Sequence, residues 1–207
     1  MRTMIAIPCM DMVNAVFMRS LLAMDKVGEV SYEMEIGTLV YNSRNQLLMK
    51  ALAGGYDRIL WFDSDMEIPK VTMRILSEDL DAGHGIVSGL YIKRIPPFTP
   101  TIFKTCEIQQ LEDQPEKLIP VADSYQDYPK NDIFEVAACG FGCVMMDVAT
   151  VRKITDKLGV MLFMPTAGFG EDFSFCLRAS YVGEKIYCDS RVRLGHIGYR
   201  AFTVPEE

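Results

Sequence analysis

Long apolar runs, paired cysteines and an excess of positive charge are what this 207-residue chain lacks. No stretch approaches the roughly 20 apolar residues that cross a bilayer, so no membrane helix is expected. The apolar part of Met1 to Pro8 is too short for a secretory signal. Six cysteines, at positions 9, 106, 139, 143, 176 and 188, lie among apolar neighbours with no Cys-x-x-Cys pair. They read as reduced core residues, and with the missing signal they lead to the expectation of a cytoplasmic protein. A ligand pair of Cys139 and Cys143 is the weaker alternative. Lys and Arg number 21 against 28 Asp and Glu, a formal charge of −7. That argues against a general nucleic-acid binder, which needs a basic face. It leaves room for a phosphate-bearing ligand held through a metal ion or a few local arginines. Histidine is scarce too: His84 and His196 are the whole supply.

What is present suits one globular domain over 1–207, with a hydrophobic fraction of 49% and a charged fraction of 24%. The first half alternates strand and helix. Thr3 to Cys9 reads as a strand, then Val13, Phe17, Leu21 and Met24 recur at helical spacing up to Gly28. Ser31 to Ile36 alternates as a second strand with Tyr32, Met34 and Ile36 on one face. Asn42 to Ala53 is helical, and Gly54-Gly55 offers a left-handed stop. Arg58 to Phe62 is a third, fully buried strand, followed by a helix from Pro69 to Ala82 and a fourth strand from Gly85 to Tyr91. This order predicts an α/β fold with a mostly parallel, Rossmann-like sheet flanked by helices.

The pattern breaks between residues 93 and 134, which hold six of the ten prolines and a polar run from Glu107 to Lys117. This segment reads as an irregular excursion with one hairpin, where enzymes of this architecture often shape a second substrate pocket, between a first half (1–92) and a second half (135–207). Lys93 and Arg94 at its start are open to phosphate contact or to simple solvation. Val136 to Met146 reads as one strand interrupted by Gly140 and Gly142, then a helix from Val148 to Leu158.

Chemistry concentrates where the third strand ends in Asp63-Ser64-Asp65. Burying carboxylates without a partner is costly, so two of them at a strand end imply a cleft mouth. Their oxygens suit a hard divalent cation such as Mg2+ or Mn2+. A solvated loop is the alternative for the pair alone. In parallel sheets ligands bind beyond the carboxyl ends of strands, and Pro8, Glu35, Asp63 and Asp65 all sit at such ends. Gly170-Glu171-Asp172-Phe173 places two carboxylates in the first turn of a helix, where the dipole favours the anion. A plain N-terminal cap is the alternative. His196, between Gly195 and Gly198, is a possible imidazole ligand or a structural histidine. Arg44, in Tyr41-Asn42-Ser43-Arg44-Asn45, is a candidate to fork onto a diphosphate or a carboxylate, with a plain helix cap and a solvated arginine as the alternative.

Taken in order, these pieces resemble a nucleotide-sugar glycosyltransferase of the GT-A type, nearest to family 2. The resemblance covers most of residues 3–200 apart from the excursion, and it implies a nucleotide-binding half (1–92), an acceptor-side insertion (93–134) and an acceptor and catalytic half (135–207). It implies a UDP- or GDP-sugar donor, an unknown acceptor and a divalent cation, Mn2+ or Mg2+. It further implies that Asp65 and His196 hold the cation, with Asp63 reaching both the metal shell and the ribose. Pro8 and Glu35 would line the nucleoside pocket and Arg44 would face the diphosphate. Asp172, or failing it Glu171, would be the general base of an inverting transfer. The absence of a Gln-x-x-Arg-Trp motif and of membrane helices departs from processive synthases. Two other readings remain: a catalytically inactive nucleotide-sugar binder of the same fold, and a nucleotidyltransferase. The second fits poorly, because residues 9–16 contain neither glycine nor a basic residue.

Overall fold

The computed structural model describes residues 1–198 and the backbone of Ala201–Phe202, with only the backbone of Pro115. Its first half runs β1 (Arg2–Cys9), α1 (Ala15–Ala23), β2 (Glu29–Ile36), α2 (Val40–Ala53), β3 (Arg58–Phe62), β4 (Met66–Glu67), α3 (Thr72–Asp81) and β5 (Ile86–Leu90). The excursion carries β6 (Ile102–Phe103) and a hairpin of β7 (Glu107–Leu111) and β8 (Gln114–Val121). Then follow β9 (Ile133–Val136), β10 (Ala138–Cys139), β11 (Cys143–Asp147), α4 (Val148–Leu158), α5 (Glu171–Tyr181), β12 (Ile186–Arg193), β13 (Gly195–Ile197) and β14 (Ala201–Phe202).

Local chemistry explains most boundaries. The Asn14 side chain accepts from Val16 N–H at 2.8 Å and opens α1, whose Phe17 and Leu21 face the core. Gly55, with φ of 67°, supplies the left-handed turn after α2. The helix expected from Pro69 begins later, at Thr72, because Pro69 is used in a turn whose carbonyl accepts from Thr72 N–H at 3.1 Å.

Seven strands form the main sheet in the order β2-β1-β3-β11-β5-β12-β9. The expectation of a mostly parallel sheet is corrected: β1 pairs in parallel with β2 and β3, and β5 with β12, but β11 is antiparallel to both β3 and β5, as β9 is to β12. The inserted strand is the reason. Cys143 to Met146 are all buried, and a strand buried on both faces has the same apolar pattern in either direction. The single strand expected over Val136–Met146 is likewise three short ones, each with a different partner: β9 on β12, β10 on β6, β11 in the centre.

Helices cover both faces, as expected. One core packs Trp61, Phe141, Phe163 and Phe175 with residues of α2, α4 and α5. The other packs Phe62 with Phe17 and Leu21 of α1 and with Met73 and Leu76 of α3. At the edge strand β2 the alternate face is uncovered, leaving Tyr32, Met34 and Ile36 exposed.

Candidate active site

The strands β1, β2, β3 and β5 point the same way, so their carboxyl ends gather along one edge. The reversed strand β11 starts at that edge: Asp63 N–H donates to the carbonyl of Gly142 at 3.3 Å. A cleft of about 360 Å³ opens there, with Pro8, Arg44, Asp63, Ser64, Asp65 and Glu171 among its walls. That volume lies within the range of small-ligand sites. A larger hollow of about 540 Å³, against Lys104 and Lys185, contains none of the candidate residues.

Arg44 is the hub of the cleft floor. It comes from the first turns of α2 and is only 2% exposed. Its guanidinium carbon lies 5.2 Å from the ring centre of Phe141, 5.9 Å from Phe163 and 6.0 Å from Trp61. Such a cage strips water from the cation and strengthens its pull on anions. Nη2 donates to Asp63 Oδ1 at 2.7 Å and Nε to Glu171 Oε1 at 3.4 Å. Arg44 thus ties α2 to the end of β3 and the start of α5. Burial still pushes the Asp63 carboxyl above its ordinary range, against the pull of Arg44, and Asp65 adds to the rise.

Asp65 and His196 meet because a small sheet brings them together. Met66 of β4 pairs with His196 of β13, and Ile197 N–H donates to the Asp65 carbonyl at 2.7 Å. The His196 Nδ1 stands 2.9 Å from the carbonyl oxygen of Ile92. A carbonyl only accepts, so Nδ1 carries the proton and Nε2 is turned toward Asp65 Oδ2, 3.6 Å away. Arg94 Nη1 reaches the same carboxylate oxygen at 2.9 Å. Burial acts to raise the Asp65 pKa, but His196 and Arg94 outweigh it and hold the group below its usual value.

This donor set suits a hard cation. With Nδ1 engaged by Ile92, the imidazole would offer Nε2 to a cation in place of any proton it shares with Asp65, beside a carboxylate kept ionised. Among the described residues no group of three or more His, Cys, Asp and Glu forms a ready cage. A magnesium-type ion does not need one, since it commonly takes one or two carboxylates and fills its shell with water and substrate phosphates.

Glu171 and Asp172 open α5 but differ in surroundings. Glu171 lines the cleft and engages Arg44, whereas Asp172 accepts from Phe173 N–H at 2.8 Å. Burial first, then repulsion from Glu171, pushes the Asp172 pKa up to about 6, against the pull of the Phe173 N–H and Arg44. The next residue, Phe173, is stacked on Phe169 with ring centres 5.1 Å apart.

Pro8 lines the cleft directly. Glu35 lies beside it rather than in it, at an adjoining hollow of about 240 Å³ with Thr38 and Gln46, and pairs with Lys50 at 3.0 Å. Sequence reasoning missed Tyr91, whose hydroxyl accepts from Gly142 N–H at 3.0 Å and whose ring meets His196 edge-on at 5.3 Å. It also missed the aromatic cage of Arg44. Only the two glycines flanking Phe141, which leave room for the Tyr91 ring, hinted at close packing there.

No protein-family model and no curated protein sequence matches this chain. Among solved structures, A197 from STIV, a viral protein, superposes with a TM-score of 0.68 at 17% identity, covering 100% of this chain and 96% of that one. Residues 1–349 of TarS from S. aureus, a family 2 glycosyltransferase, give 0.52 at 15% identity, over 92% of this chain and 58% of that one. Such identities speak to the fold alone, and the fold they support is GT-A-like. No helix in the described residues is long and apolar enough to cross a membrane.

Proposed function

We propose that this chain is a metal-dependent, inverting glycosyltransferase that moves a sugar from a nucleoside diphosphate of the UDP or GDP class to an acceptor hydroxyl. One observation carries the reading: residues far apart in sequence, Arg44, Asp63, Asp65 and Glu171, line one cleft at the carboxyl edge of the sheet, and His196 Nε2 stands 3.6 Å from Asp65 Oδ2. The GT-A-like fold agrees with it.

In this reading the cleft holds the donor, with Pro8 beside the nucleoside and Asp63 reaching toward the ribose. Glu35 would serve from the adjoining hollow. Asp65 and His196 would hold Mn2+ or Mg2+, which acts as a Lewis acid on the departing diphosphate. Arg44 would face the diphosphate from the cleft floor. It fixes the positions of Asp63 and Glu171 and lends the floor positive charge. Asp172 takes the acceptor proton as the new glycosidic bond forms and the bond to the diphosphate breaks. A base with a pKa near 6 is ionised at neutral pH yet more basic than an ordinary carboxylate.

The test pairs a thermal-shift screen of UDP- and GDP-sugars, with and without Mn2+, with turnover assays on two variants. Asp65→Ala is expected to lose Mn2+-dependent donor binding. Asp172→Asn is expected to bind donor normally and lose transfer by about 10²–10⁴-fold, the usual share of general-base assistance. Donor binding without turnover in the unaltered chain would favour the inactive binder instead.

A further inference from the structure

Two arginines touch the Asp63-Ser64-Asp65 segment, and they differ in freedom. The Arg44 side chain is buried, caged by three rings and held by two carboxylates. Arg94 sits on the chain just beyond β5 with its side chain 44% exposed. Its Nη1 touches Asp65 Oδ2 at 2.9 Å and the carbonyl oxygen of Ile197 at 2.8 Å. One guanidinium is fixed; the other can leave.

Resting on the proposed reading of the cleft, we infer that Arg94 competes with the divalent cation for Asp65 and, once displaced, pairs with the donor's diphosphate. The Asp65 oxygen that meets Arg94 is the one 3.6 Å from His196 Nε2, and so the one a cation shared with His196 must use. A hard cation binds carboxylate oxygen at about 2.0–2.1 Å. A guanidinium aimed at the same lone pairs is then repelled by the ion and keeps only the neutral carbonyl of Ile197 as an acceptor. The displaced side chain remains beside the cation and therefore beside any phosphate that bridges to it. A planar fork of donors matches a phosphate well. Arg94 would thereby trade a carboxylate for a phosphate, so the tightest cation binding waits on the donor.

The exchange demands effects of opposite sign on two ligands. Mn2+ alone, and inorganic pyrophosphate at saturating Mn2+, are titrated calorimetrically into the unaltered chain, Arg94→Gln, Arg94→Lys and Lys93→Gln. Losing an exposed competitor is worth up to about fivefold, so Arg94→Gln is expected to bind Mn2+ about three- to fivefold tighter. The same variant is expected to bind pyrophosphate about tenfold more weakly. Arg94→Lys keeps the charge without the fork and should keep Mn2+ affinity within about twofold while weakening pyrophosphate several-fold. Lys93→Gln removes a neighbouring charge that does not touch Asp65, and should leave Mn2+ affinity within about twofold. Mn2+ affinity unchanged or lowered in Arg94→Gln, equal tightening by Lys93→Gln, or undiminished pyrophosphate binding would overturn the exchange while sparing the cation site. Absence of Mn2+ binding in every protein would overturn the cation reading and this inference together.

Discussion

Arg44 donates to Asp63 at 2.7 Å from a position almost closed to water, while the carboxylate it holds keeps about a third of its side chain open to the cleft. Because α2 supplies the arginine and β3 the aspartate, the pair sets the spacing of the cleft floor as well as its charge.

Replacing Arg44 by Met leaves Asp63 and Glu171 beside each other's charge with no cation between them, inside an aromatic wall. Breaking a buried pair on one side costs about 3–5 kcal/mol, and the partial exposure of Asp63 places the expected loss near the lower figure. Urea unfolding at neutral pH measures it. The deficit should shrink on acidification, as the Asp63 carboxyl, already raised by burial, becomes neutral. A loss below about 1 kcal/mol would mean that the ion pair does not hold the floor together.

The raised Asp172 pKa has a defined pH signature. Its carboxyl ionises near 3.8 when unfolded and near 6 when folded. Between those values the folded chain binds more protons, so this group's contribution to stability falls as pH rises from about 4 to 6, then stays level. Asp172→Asn removes that penalty and should be more stable than the unaltered chain at pH 7.5, by up to about 2–3 kcal/mol, with no advantage at pH 3.5. The transfer rate should climb through pH 6 to a plateau as the base ionises. A rate that falls over the same window would assign the base elsewhere.

Gly142 leaves space for Tyr91. A methyl group there would meet the ring at 2.7 Å and Met66 Sδ at 3.0 Å. Gly142→Ala is expected to cost about 1–3 kcal/mol through overpacking. Tyr91 also packs on His196, so the imidazole should move with it. Nuclear magnetic resonance of the two histidines would show the His196 signals shift while those of His84 hold. Unshifted His196 resonances would separate the glycine from the site.

Much of the first half is legible along the chain. The strand through Ile59-Leu60-Trp61-Phe62, the helix with Met73, Leu76 and Leu80 inward, and the stop at Gly54-Gly55 all follow from nearest-neighbour chemistry. The excursion's hairpin is real, though no sequence periodicity located its strands. The direction of β11 was not legible, since its partners β3 and β5 are chosen by backbone pairing across a long stretch of chain.

For the site the division is similar. Residue types and strand ends alone single out Asp63, Asp65, Glu171, Asp172, His196 and Arg44, because clustered charges after apolar runs must face a cleft or one another. Tertiary structure alone decides their partners: Arg44 on two carboxylates, Arg94 and His196 on the same oxygen of Asp65, Glu35 off to the side. Periodicity is a property of neighbours in the chain and shows which way a side chain faces. Partner choice and pKa depend on distance and burial, which exist only after strands from opposite ends of the sequence have been laid side by side.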